Sequence, residues 1–196
     1  KDPVCMLRSW LLMNLLHETS SPEAWARRLK REPVLAILLI PFCIPPLALW
    51  LDSQAGGVHT PLRVLEQPWM VLPALLLMLT IGGAQEEYGW RGYLLPRLDR
   101  VFTPWQVDIL IVFLHAFWHL PLFIIVYTVQ YQYSFWLFLA FGFGFTFLIN
   151  RLYRVTGGSI LAALVFHGLV NTGLEIFPPV GPAVSGSPLP LLIIAW

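Results

Sequence analysis

Seven side chains in an otherwise apolar sequence could do chemistry: Glu86, Glu87, Arg91, His115, His119, His167 and Asn171. A carboxylate can take a proton from water, an imidazole can share it, and imidazole or amide N–H groups can steady a developing oxyanion. Helical spacing sorts them into roles. Glu87 and Arg91 are four residues apart with the acid N-terminal, the favourable order for an ion pair on one helix face. Glu86 lies about 100° away around the same helix, which leaves it as the free carboxylate and the candidate general base. His115 with His119, and His167 with Asn171, are two further one-turn pairs. Histidines at i and i+4 suit a metal ion, but the Glu of a His-Glu-x-x-His motif is missing here. Each pair also has a plain structural use, as a wetted helix end or as a hydrogen bond between helices.

The elements that must position these groups are membrane helices. Of 196 residues, 57% are hydrophobic and 12% are Asp, Glu, Lys or Arg, about half the ~25% charged share of a soluble domain. The net charge of +1 provides no basic surface for phosphates, so nucleic acid is not an expected partner. Cys5 and Cys43 are too few for a disulfide scaffold, and Cys43 sits in an apolar run as a small hydrophobe. Since a helix needs about 20 apolar residues to span the hydrocarbon, spans are expected near residues 34–51, 69–96, 105–127, 133–149 and 157–177. The second could begin as 69–85 and continue past the glutamates, because residues 92–96 are apolar again before Arg97, Asp99 and Arg100. The expected fold is all-α, a polytopic transmembrane bundle with a polar site inside the membrane. Gly142, Gly144 and Gly168 are expected to let helix backbones approach closely.

Residues 1–33 are expected to form an interfacial N-terminal segment and 34–196 the transmembrane domain, with a partial span at 188–196. Residues 9–16 are followed by His17 and Glu18 without a small-residue cleavage site, which reads as a surface-lying helix rather than a signal peptide. Residues 21–33 open on Ser-Ser-Pro-Glu and close on Arg27, Arg28, Lys30 and Arg31, as an N-capped amphipathic helix would. With five crossings, eleven of the twelve Lys and Arg fall on one side and Arg63 alone on the other. Basic loops are retained in the cytoplasm, so the N-terminus is expected there.

Glu86-Glu87-x-x-x-Arg91, the run Trp118-His119-Leu120-Pro121 in the next span, and His167-x-x-x-Asn171 two spans later together resemble the CAAX protease and bacteriocin-processing family. That family includes the type II CAAX prenyl endopeptidases. The resemblance covers about residues 82–171, and it lies in order, spacing and helix placement together. It implies that Glu86 and His119 activate water, that His167 and Asn171 support the oxyanion, and that Glu87 and Arg91 form the accompanying ion pair. The family usually has Phe or Trp four residues before the second-motif histidine, where this chain has His115. Either histidine is therefore a candidate, with His119 the better match by its Leu-Pro sequel.

The resemblance implies an intramembrane endopeptidase acting on a membrane-associated or prenylated peptide, with lipid and a peptide or lipidated protein as partners. Glu86, His119 and His167 could ligand zinc. An asparagine beside His167 coordinates zinc poorly and donates to an oxyanion well, which favours a metal-free reaction with no cofactor. A non-catalytic immunity or regulatory protein binding a peptide in the same cleft is the alternative. A transporter with a proton relay comes third, disfavoured by the lack of inverted repeats and paired broken helices.

Overall fold

The computed structural model describes residues 34–54, 67–126, 128–132 and 134–177, with side chains from residue 38. The expected surface helices within 1–33, the loop at Arg63 and the partial span at 188–196 lie outside the described residues. Those described are helical, with no strand among them.

Helix α1 is Val34–Gln54. A 3-10 turn at Pro68–Met70 leads into α2, Val71–Thr80. After a break come a 3-10 turn at Ala84–Glu86, the single turn α3 (Glu87–Gly89), a π-helical segment at Trp90–Leu94 and the short α4 (Leu95–Leu98). Helix α5 is Pro104–His119, continued by a 3-10 turn at Leu120–Phe123; α6 is Phe135–Val155 and α7 is Ile160–Ile176. Local chemistry sets the starts. Gln106 Oε1 accepts from the Thr103 N–H at 3.0 Å, Ser134 Oγ from Trp136 N–H at 3.2 Å, and Ser159 Oγ from Ala162 N–H at 3.1 Å.

Pro68–Leu98, Pro104–Phe123 and Phe135–Val155 are long and apolar enough to cross a membrane, whereas Leu38–Gln54 and Ile160–Ile176 are apolar but shorter. Polarity is inverted relative to a soluble protein. Phe113, Phe117, Trp136 and Leu161 are exposed, while Glu87, Arg91, Asp108, His115, Asn150 and His167 are buried. Water cannot satisfy polar groups inside a bilayer, so they turn toward one another in the centre of the bundle.

Helix α7 packs against α2, α1 and α6, and α5 packs against α6. Phe145, Ile149 and Leu152 of α6 meet Ala163, Phe166 and Val170 of α7 in one apolar cluster, and Val112 and Ala116 of α5 meet Phe138 and Leu139 of α6 in another. Close helix approach falls on α7. A Cβ at Gly168 would lie 2.5 Å from Leu79 Cδ2 of α2, and one at Gly173 would run into the Pro41 carbonyl oxygen of α1. Gly142 has room instead, its nearest neighbour being Val112 Cγ1 at 4.0 Å.

Candidate active site

The second span is not one continuous helix. It stops at Thr80, whose hydroxyl donates to the Leu76 carbonyl at 2.7 Å, and the amides of Ile81 and Gly82 both close onto the Leu77 carbonyl, at 2.8 and 3.0 Å. Gly83 then adopts φ +102°, a conformation that an L side chain resists. A Cβ there would also lie 2.5 Å from Asn171 Nδ2 and 3.0 Å from His167 Nε2, so glycine is required by space as well. The chain restarts as the 3-10 turn carrying Glu86, whose amide bonds to the Gly83 carbonyl at 2.8 Å. The break thus sets Glu86 one turn from the point where α7 presents His167 and Asn171.

Glu86 is partly buried and is not the unpartnered carboxylate that helical spacing suggests. Its Oε2 lies 3.3 Å from the Trp90 indole Nε1 and 3.4 Å from His115 Nε2. Trp90 opens the π-helical segment, a local widening common at functional sites. Sequence reasoning missed this donor, although an indole N–H one turn after a glutamate was a readable signal. The buried His115 ring has Phe145 stacked at 5.7 Å and Trp90 edge-on at 5.4 Å. His119 is more open, and its Nδ1 is 2.9 Å from the His115 carbonyl. A carbonyl only accepts, so Nδ1 carries the proton and Nε2 keeps its lone pair.

Glu87 is fully buried, and both of its oxygens accept from Arg91 Nη1 at 3.0 Å. Its Oε1 also accepts from His167 Nδ1 at 2.7 Å, a contact across 80 residues that no spacing rule supplies. Arg91 Nε donates to Asn150 Oδ1 at 2.8 Å, and Asn150 Nδ2 donates to Asp108 Oδ1 at 2.7 Å. Arg154 pairs with Asp108 and with Asp99, each at 2.9 Å. A hydrogen-bonded chain therefore runs from His167 through Glu87, Arg91, Asn150, Asp108 and Arg154 to Asp99. Asn150 and Asp108 were missed as site-supporting residues. Their signal was their position, an amide and an acid inside apolar spans.

On α7, His167 and Asn171 both reach the Gly82-Gly83 corner, where Asn171 Nδ2 donates to the Gly82 carbonyl. With Nδ1 of His167 held by Glu87, Nε2 is the nitrogen turned toward that corner. Among the described residues, the side chains close enough to share a metal ion are Glu86, His115 and His119, with ligand atoms all within 4.8 Å of one another. His167 is not one of them. The structure thus groups a different trio from the Glu86, His119 and His167 considered from sequence.

The arrangement sets a partly buried carboxylate and two imidazoles beside an imidazole and an amide from another helix. A base and oxyanion donors close to each other are what amide hydrolysis requires. Comparison with individual curated proteins returns no match. The family model for the type II CAAX prenyl endopeptidases, Rce1-like, matches residues 68–173, from the turn that opens the second span to two residues past Asn171. That match covers more than half of the chain and every residue of the site just described. The chain belongs to the Rce1-like type II CAAX prenyl endopeptidases, a family of membrane proteases.

Proposed function

We propose that this protein is an intramembrane endopeptidase that cleaves a peptide bond of a membrane-associated or prenylated, CAAX-like peptide with water activated by Glu86 and His119. The observation that carries this reading is the Gly82-Gly83 corner, where His167 and Asn171 of α7 reach the turn that leads into Glu86. Glu86 takes a proton from the attacking water, and His119, at the end of α5, shares the water and guides it toward the scissile carbonyl. His167 Nε2 and the second N–H of Asn171 donate to the oxyanion. The Glu87 carboxylate behind His167 balances the proton that the ring needs at Nε2. Trp90, Trp118 and Phe145 enclose the histidines and keep bulk water from the site, which strengthens each electrostatic contact.

In this reading residues 82–171 form the protease core, and no metal cofactor takes part. The N-terminus and the ends bearing Arg97, Arg100, Arg151 and Arg154 face the cytoplasm, from which the peptide enters. The pairing of Asp99 with Arg154 supports placing two of these basic segments at one end of the bundle. A non-catalytic protein binding a peptide in the same cleft would have no use for a carboxylate beside oxyanion donors.

The test is hydrolysis of a panel of prenylated and unprenylated peptides by the purified protein, with and without a chelator. Activity is expected to survive chelation, and zinc-dependent activity would overturn the metal-free mechanism. Asn171→Ala is expected to lower kcat by about 10² to 10³ with KM little changed, because the amide acts mainly on the transition state. A loss confined to KM would remove Asn171 from the oxyanion site. His119→Ala is expected to be inactive and His115→Phe active. The reverse result would move the water-handling role to His115.

A further inference from the structure

His115 faces the carboxylate assigned as the base, its Nε2 3.4 Å from Glu86 Oε2. We propose that Glu86, His115 and His119 form a site for a divalent transition metal of the Zn2+ class, and that the ion, once bound, holds the protease inactive. The proposal rests on Glu86 being the base.

Several observations carry it. Two imidazoles one turn apart on α5 and a carboxylate from the segment after α2 bring three ligand atoms within 4.8 Å of one another. Two nitrogens and one carboxylate oxygen with an open fourth position form a familiar zinc donor set. A tetrahedral zinc about 2.1 Å from each ligand holds its ligands about 3.4 Å apart. His115 Nε2 and Glu86 Oε2 stand at 3.4 Å already, so an ion can take the place of the proton between them. The surrounding groups also suit a metal. The His115 carbonyl fixes His119 with its proton on Nδ1, leaving Nε2 to coordinate, and the Trp90 indole N–H holds the Glu86 carboxylate. Phe145 and Trp90 limit the His115 ring to one orientation.

Inactivation follows from the supply of carboxylates. A carboxylate coordinated to a dication is a much weaker base, so a metal-bound Glu86 no longer draws a proton from water. Glu87 cannot replace it, because its oxygens accept from Arg91 and His167. Mg2+ and Ca2+ should have no such effect, since they prefer all-oxygen shells to imidazole.

The experiment uses the full chain in detergent, stripped by chelator and desalted, and titrates it with Co2+ while the visible d–d absorption is followed. Wild type is expected to bind one Co2+ per chain, Zn2+ to displace it, and Zn2+ but not Mg2+ to stop hydrolysis until chelator is added. His115→Phe is expected to hydrolyse peptide, to bind Co2+ at least about 10²-fold more weakly, and to resist Zn2+. Absence of Co2+ binding in wild type, or equal binding and equal zinc inhibition in His115→Phe, overturns the proposal. Stripped wild type that hydrolyses only when Zn2+ is returned overturns it too, and the metal-free mechanism with it. If no form of the protein hydrolyses peptide, the proposed function fails and the inactivation with it, while the dependence of the cobalt spectrum on His115 still decides whether the metal site exists.

Discussion

Glu86→Gln is expected to reduce peptide hydrolysis by about 10² to 10⁴ while the protein still inserts and keeps its melting temperature in detergent. The amide preserves the shape of the side chain and one acceptor oxygen for Trp90, but it cannot take a proton from water, and a lost general base costs that much in rate. Little stability is at stake, because both side-chain contacts of Glu86 are long, 3.3 Å to Trp90 and 3.4 Å to His115, and the group is only partly buried. Separating the two effects gives the measurement its force, since a misfolded variant would also be inactive. Single-turnover hydrolysis alongside a thermal melt of the same preparation distinguishes them. Residual activity within about tenfold of wild type, with the melt unchanged, would remove Glu86 as the base and leave His119 or a metal-bound water to supply the nucleophile.

Membrane helices were legible because hydrocarbon demands long apolar runs, and the spans expected at 69–96, 105–127 and 133–149 correspond to the apolar helices Pro68–Leu98, Pro104–Phe123 and Phe135–Val155. Within a helix, spacing was enough: Glu87 and Arg91, one turn apart, meet at 3.0 Å. Contacts between helices were a different matter. Helical periodicity tells which face a residue occupies, not which helix that face will meet, so the bond from Glu87 to His167 and the bond from Arg91 to Asn150 could not be read. The break at Ile81 to Gly83 was also hidden. Two adjacent glycines weaken a helix, but a bundle interior often tolerates them, and only the nearness of Asn171 and His167 shows why this pair must turn the chain. The trio Glu86, His115 and His119 was partly visible, with the α5 pair given by spacing and the carboxylate supplied by packing.

The second large effect is expected at Arg91, through stability rather than chemistry. Its fully buried guanidinium gives Nη1 to both oxygens of Glu87 and Nε to Asn150, and sits 5.8 Å from the centre of the Phe145 ring. Arg91→Met fills much of the same volume but leaves a Glu87 carboxylate at zero exposure with only His167 to answer it. Breaking a buried pair from one side costs about 3 to 5 kcal/mol, because the remaining charge stays desolvated. Loss of folded protein in detergent should therefore accompany loss of activity. Removing both charges should cost less than removing one. Glu87→Gln combined with Arg91→Met leaves no unpaired charge, and the new amide oxygen can still accept from His167, so the double variant is expected to melt above Arg91→Met. Hydrolysis should not recover with stability, since the double variant lacks the carboxylate that balances a proton on His167. A single Arg91→Met that melts with wild type, or a double variant less stable than either single one, would show that the Glu87–Arg91 pair does not carry the centre of this bundle.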